Sequence, residues 1–556
     1  MTDDALQQAS PGHAALTAAA AAFGRALGSK TTLFIFAIFA VGLVGLHAAL
    51  LKLPYFWDEA GYYIPAARDL LGGSLIPYST PSNAHPPLVL AWLALSWKIF
   101  GQSPLVTRTA MLLLAAFSLT GFYRLARTVA NSTVAAASTF LTAIYPVFFA
   151  QSSLAQIDLP AAGLTFWALE AYFRRRRVTM ALWFALAALA KETAILVPLA
   201  LAAWEVVGRA TAKNTVKSTG RIIFLLVSCF PLAIWYAYHY ARTGFVFGNP
   251  EFLRYNLQGN FHPLRIVLAL LLRLWQTVGY MNLYVLAIAC LLAMTRPAQP
   301  REPREKGGDD ALRPRIAIPV QMAFLAITVV YLLALSVLGG AVLARYMLPV
   351  VPLFILVAVS TIWRRVRAWK AVLAVVGLAF ALGLFFNPPY GFAPEDNLAY
   401  TDYIRLHQNA EAFIGARYPH ARVLTAWPAS DELARPGICF VKRPLQVVRI
   451  EDFTAEELMT AADERSRFDV ALVFSTKVQP ARTFADHWRF WQEWKKRYFG
   501  YHVDLAPEEA SKVLGGNLVY VERSVRRPGQ WVGVIEMNKV EEGRAGRDLV
   551  PSRSSN

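Results

Sequence analysis

The stretch "LKLPYFWDEAGYYIPAARDLLGG", Leu51 to Gly73, decides how the rest of the chain is read. It follows the first long apolar run, residues 31–51, which at roughly 20 residues is long enough to cross a bilayer. Asp58 and Glu59 therefore stand where the chain leaves the hydrocarbon, among aromatic residues that favour a membrane surface. After them "EAGYYIPAARDLL" reads as a short amphipathic helix along the interface, with Tyr62, Tyr63 and Leu70 turned toward lipid or protein. A carboxylate on such a shelf can act as general base toward a hydroxyl or amine arriving from water. The plainer reading is a pair of solvated acids just outside a span.

Of 556 residues, 56% are hydrophobic and only 17% charged, a balance that fits a polytopic membrane protein carrying some soluble mass. The net charge of +18 would suit a nucleic-acid partner. Its basic residues, however, fall in short blocks between apolar runs, as in cytoplasmic loops, and no nucleic-acid partner is expected. Cys229, Cys290 and Cys439 have no spacing for a metal site or a disulfide framework. Residues 1–30 are Ala-rich, lack the layout of a secretory signal, and read as a cytoplasmic tail.

Charge threads the chain through the bilayer. Arg25 and Lys30 place the start of the first span inside, so Asp58 and Glu59 emerge outside. The run 87–100 is short and reads as interfacial, because "YRLAR" after the run 104–123 then falls inside. "RRRR" at 174–177 and "WRRVRAWK" at 363–370 are further inside markers. The result is an all-α membrane domain over 31–387 with about eleven crossings plus interfacial helices, N-terminus inside. From "NPPYGF" onward charge returns, "DVALVFS" and "NLVYVER" alternate like strands, and 401–417 and 484–498 read as helices. A soluble α/β domain is expected over 388–540, outside the membrane, followed by a disordered tail over 541–556.

"FWDEAGYYIPAARDL", "NAHPPLVLAWLALSWKIFG", "IDLP", "LAKETAILVPLAL" and "ARYMLPVVP", in that order, resemble the GT-C membrane glycosyltransferases. The kin are the protein O-mannosyltransferases and the aminoarabinose transferase that modifies lipid A. The resemblance runs over about residues 31–365. It implies a polyprenyl-phosphate sugar donor, inverting transfer on the outer face of a plasma or inner membrane, and an acid in the first outer loop, where Asp58 and Glu59 stand. The acceptor is then a lipid, a protein or a glycan.

Such a donor leaves as a phosphate, so cations are expected near the acid. Lys191, at the break in "ALAALAKETAILVPLAL", is one; a salt bridge to Glu192 is its plain alternative. Arg345 in "ARYMLP" is a second, or else an interfacial anchor beside Tyr346. Asp158 in "QIDLP" stands where the family has a further acid, or else caps a proline-opened helix. His85, where relatives carry lysine, would help hold the phosphate. No cofactor is certain; a divalent metal on His85, Glu59 and His262 stays open. His262 also belongs to a long outer loop that could act as a lid. Two rivals remain. A transporter or flippase of lipid-linked sugars would need polar residues along several crossings, and a non-catalytic scaffold leaves Asp58 and Lys191 unexplained.

Overall fold

The computed structural model describes residues 29–211, 216–250, 261–301, 312–338, 340–478, 484–525, 527 and 529–538. The tails read at 541–556 and at 1–30 (save Ser29 and Lys30) lie outside the described residues, as does 251–260 of the outer loop that carries His262. The described chain forms two compact units. One runs to Ile404 and includes Lys477–Tyr501; the other takes Arg405–Thr476 and the chain from His502.

The first unit is helical at every long apolar run. Pro104–Val129, Thr219–Thr243 and Ile318–Val337 are long and apolar enough to cross a membrane. Pro263–Val278 and Leu283–Met294 make a fourth such span if the pair, bent by 74°, counts as one. Of the roughly eleven crossings read from the sequence, three or four are long and apolar enough among the described residues. The rest are shorter apolar helices, among them Lys30–Leu46, Leu88–Phe100, Ser132–Ile144, Arg177–Ala190 and Trp369–Phe385. The physical reason is interruption. Pro146 opens a separate helix after Ser132–Ile144, Lys191 is extended between Arg177–Ala190 and Glu192–Ile195, and Met281 and Asn282 are left-handed (φ 49° and 67°) at the 74° bend.

Pro104–Val129 is the central helix, packed on Asp158–Phe173, Lys30–Leu46 and Ser132–Ile144. The crossing with Asp158–Phe173 is close because Gly163 has no side chain: a Cβ there would lie 2.9 Å from the Cα of Ser118. Trp167 stacks on Phe117 and lies beside Trp183, filling the same seam. The 16 residues of Asp158–Phe173 span about 24 Å and carry charge at both ends. At the C-terminal end Glu170 pairs with Arg124 (2.9 Å) and Arg174 (2.8 Å). Glu205, held by Arg221 (2.9 Å) and the Tyr172 hydroxyl (2.7 Å), pairs at the C-terminal end of the same helix. Asp158 opens the other end.

The second unit is a five-stranded sheet in the order β2-β1-β3-β5-β4. The strands are β1 Arg422–Ala426, β2 Gln446–Ile450, β3 Val470–Phe474, β4 Gly516–Arg523 and β5 Trp531–Met537. The first three are parallel, and β5 runs antiparallel to both β3 and β4. All five residues of β3 are buried, which explains why its sequence is nearly continuous in apolar residues.

Gly163→Ala forces helices Pro104–Val129 and Asp158–Phe173 apart. Overpacking of this kind costs roughly 1–3 kcal/mol, so the thermal midpoint of the detergent-purified protein should fall. Ser118→Gly in the same chain should recover part of the loss; an unchanged midpoint in Gly163→Ala would mean the crossing is not tightly packed.

Candidate functional site

Three segments far apart in sequence converge on the guanidinium of Arg345. Its Nη2 donates to Oδ2 of Asp58 at 2.5 Å and its Nη1 to Oε1 of Glu395 at 2.5 Å. Its Nε faces Oδ2 of Asp158 at 3.3 Å. Asp158 in turn pairs through Oδ1 with the ammonium of Lys191. The adjacent Glu192 accepts from His85 Nδ1 at 2.9 Å. One chain of charges therefore runs from Glu395 through Arg345, Asp158 and Lys191 to the Glu192–His85 pair.

Local structure explains how each group is presented. Trp57 is left-handed (φ 45°), a strained conformation for a bulky residue. Tyr403 holds it in place, edge-on to the rings of both Phe56 and Trp57. The kink is followed by a π-helical turn, Glu59–Tyr63, a feature frequent at functional sites. Asp58 sits at the N-cap of that turn yet makes no side-chain cap bond, so its carboxylate is free to reach Arg345. Asp158 is the first residue of helix Asp158–Phe173, whose N-cap is Ile157, so it does not fill the cap position weighed for it. Lys191 lies in the extended break, where its side chain leaves both flanking helices.

Asp58 differs from the other acids in one respect. Its side chain is 21% exposed, against 3% for Asp158 and 8% for Glu395. Among these three, Asp58 is the carboxylate an incoming molecule can meet. Burial pushes Glu395 above the ordinary carboxylate range against the pull of Arg345, and burial with the neighbouring Glu395 charge brings Asp396 up to about 7.

Several sequence readings need correction. Glu59, read as support or substitute for Asp58, is fully buried. Its Oε1 accepts from Arg108 (2.7 Å) and the Ala155 N–H (2.5 Å), and its Oε2 accepts from the Phe56 N–H (2.7 Å). Three hydrogen bonds, on both oxygens, commit the carboxylate to holding the shelf. Lys191, read as a cation for the phosphate or else as the partner of Glu192, pairs instead with Asp158, and the Tyr346 ring lies 3.8 Å from the ammonium. The trio His85, Glu59 and His262 is not assembled as a metal site. His85 engages Glu192, Glu59 engages Arg108, and His262 lies against the Tyr498 ring at 5.0 Å.

Two further groups belong to the site and were not found in the sequence. Glu395 lies past the last apolar run, in a segment that reads as the start of the soluble domain. Gln151 donates to its carbonyl, and Tyr280 donates to Asp396, which ties this turn into the helical unit. Arg273 is the second. It is fully buried, donates to the carbonyl of Leu343 (2.7 Å) and to Gln276 (3.0 Å), and lies 5.4 Å from the Tyr346 ring that also meets Lys191 and Arg345. No carboxylate among the described residues pairs with it, and its Nε has no partner. A buried arginine in "LLLRLWQ" was the available signal, since such a charge is costly without a purpose.

Comparison with known proteins bears on the fold. Residues 84–235 match a family described as dolichyl-phosphate-mannose-protein mannosyltransferase. Structures of ArnT from Cupriavidus metallidurans are similar over nearly the whole chain. The apo form has TM-score 0.52 and 14% identity, covering 91% of this chain and 98% of that one. The form bound to undecaprenyl phosphate has TM-score 0.51 and 14% identity with the same coverage. No curated protein sequence matches the chain. The resemblance to the GT-C membrane glycosyltransferases is therefore shown, and the fold is theirs.

Arg345→Met would leave Asp58, Asp158 and Glu395 converging without their common cation. Removing one partner of a buried ion pair typically costs roughly 3–5 kcal/mol. The thermal midpoint should drop sharply, and Arg345→Lys should recover only part, since an ammonium lacks the planar fork. Equal midpoints for the native, Met and Lys forms would show that the three acids do not depend on Arg345.

Proposed function

We propose that this protein is an inverting glycosyltransferase that takes a sugar from a polyprenyl-phosphate donor and passes it to an acceptor at the outer face of the membrane. The observation that carries the reading is the juxtaposition of one partly exposed carboxylate, Asp58, with three buried cations: Arg345, Lys191 and Arg273. A hydroxyl acceptor needs a base, and a departing phosphate needs positive charge; both are present within one set of contacts. The Cupriavidus metallidurans structure with undecaprenyl phosphate is a relative in fold at 14% identity, so the reading rests on the charges here.

In this mechanism the acceptor hydroxyl gives its proton to Asp58 as its oxygen attacks the anomeric carbon. The bond between that carbon and the donor phosphate oxygen breaks on the opposite face, so the configuration inverts. The bonding pair leaves with the phosphate. Arg273, buried without a carboxylate partner, is the cation with most to gain from that charge, and Lys191 lies on the same Tyr346 ring. Arg345 positions Asp58 and Asp158. His85, bonded to Glu192, would steady the break that carries Lys191.

Sidedness is supported by charge. Arg124 and Arg127, and Arg174 to Arg177, stand at the ends of helices Pro104–Val129 and Asp158–Phe173 away from Asp158. Under the positive-inside rule that end faces the cytoplasm and the site faces out. We keep the chain as a plasma- or inner-membrane protein, with the unit that begins at Arg405 outside, and with eleven crossings in which short helices also traverse the bilayer.

Asp58→Asn keeps the shape of the side chain and removes the base. Turnover of a polyprenyl-phosphate sugar should fall by roughly 10²–10⁴ while donor affinity stays near native. Near-native turnover in both Asp58→Asn and Asp58→Ala would end the base assignment. Donor consumption by the native protein also separates an enzyme from a transporter or a scaffold, which would leave the sugar–phosphate bond intact.

Arg273→Met tests the phosphate site separately. A charge-assisted contact to phosphate is worth roughly 1.5–3 kcal/mol, so donor binding should weaken by about ten- to a hundredfold. Affinity unchanged in a titration would remove Arg273 from the donor site.

A further inference from the structure

The second unit holds a cluster that the proposed reaction does not use. His407 and Glu411 lie one turn apart on the same face of helix Ala399–Arg417. Glu432 reaches them from the short helix Ala429–Ala434 that follows β1. All three are buried, with His407 at 1% exposure and both glutamates at 0%. His407 Nδ1 is 2.6 Å from Oε2 of Glu432 and 3.8 Å from Oε1 of Glu411. One ligand atom from each residue lies within 4.8 Å of the others.

Two features make this more than a group of buried acids. Among the described residues no N–H or hydroxyl donor reaches either oxygen of Glu411, which lies carboxyl to carboxyl with Glu432, and Oε1 of Glu432 also has none. The nearby Asp431 shows the contrast, since Arg449 (2.7 Å) and Arg435 (3.5 Å) neutralise it. No lysine or arginine pairs with Glu411 or Glu432 among the described residues. Second, the imidazole is oriented. Its ring packs edge-on against Phe474 of β3 at 4.5 Å, which directs it along the two carboxylates.

A fully buried carboxylate with no donor needs a proton or a cation. The geometry points to a divalent metal site of the zinc class, ligated by His407, Glu411 and Glu432. One imidazole nitrogen with two carboxylates suits a borderline ion bound at about 2.0–2.2 Å. Calcium and magnesium are disfavoured, because they want six or more oxygen ligands and keep water. Glu411 can supply its second oxygen to complete four-coordination. The 2.6 Å between His407 and Glu432 must then open by a few tenths of an ångström, since ligands of one such ion stand further apart. The role is structural: the metal would pin the His407–Glu411 turn of helix Ala399–Arg417 to the short helix Ala429–Ala434, and binding would add to the folding stability of the unit.

Full-length protein, purified in detergent, stripped with chelator and dialysed against micromolar zinc, should carry one zinc per chain by elemental analysis. Its thermal midpoint should rise by roughly 10 °C or more on adding zinc. Cobalt should give the intense visible bands of a four-coordinate site. Glu411→Gln and His407→Gln should lose the metal, the bands and the zinc-dependent shift. Wild-type protein without zinc and indifferent to it would overturn the proposal, and that result needs no variant to fold. So would zinc retained in full by Glu411→Gln, which would place the metal elsewhere. A higher midpoint for Glu411→Gln with no zinc response in the native chain would mean that the carboxyls merely share a proton.

Discussion

The arrangement depends on one guanidinium. Arg345 meets Asp58, Asp158 and Glu395, which come from the loop after the first helix, the start of Asp158–Phe173 and the turn after the last apolar helix. Each carboxylate alone would be costly at this depth, and so would the arginine. Together they offset one another, and the planar fork lets one cation serve three acids without crowding. The same contacts that stabilise the site also set the spacing of three helical segments.

A second economy lies around Tyr346. Its ring meets Lys191, Arg273 and Arg345, so three positive groups lie around one aromatic ring. Lys191 and Arg345 are balanced by acids. Arg273 is not, and its bonds go to neutral groups: Gln276 on its own helix, and the carbonyls of Ala341 and Leu343 in the segment leading into Arg345. One cation, Arg273, therefore remains without a carboxylate partner among the described residues, where the proposed reaction would place a phosphate. The strained Trp57 and the π-helical turn after it act on the opposite side, turning Asp58 toward the guanidinium and Glu59 toward Arg108.

Much of this could be read along the chain. The apolar runs specify helices because side chains of that kind, bounded by basic blocks and prolines, have one stable arrangement in lipid. Asp58, Asp158, Lys191 and Arg345 stood out as ionisable residues in apolar or interfacial surroundings. The runs "DVALVFS" and "NLVYVER" marked β3 and β4, although the first, read as alternating, is apolar and buried at every position of β3. Harder to see were Glu395 and Arg273. The first sits where composition already turns polar, and the second was one basic residue in a helix with others.

Local pattern, then, determined where the apolar helices lie, marked β3 and β4 but not β1, β2 or β5, and showed which polar residues are out of place. Pairing was decided only by tertiary structure. Asp58 and Glu59 are adjacent in the chain, yet one meets Arg345, 287 residues away, and the other Arg108, 49 residues away. Lys191 faces Asp158 while its neighbour Glu192 faces His85. Consecutive residues at a helix break point in different directions, and the partner of each depends on which distant segment packs there. Electrostatic attraction acts through space over a few ångströms, and separation along the sequence carries no information about that distance.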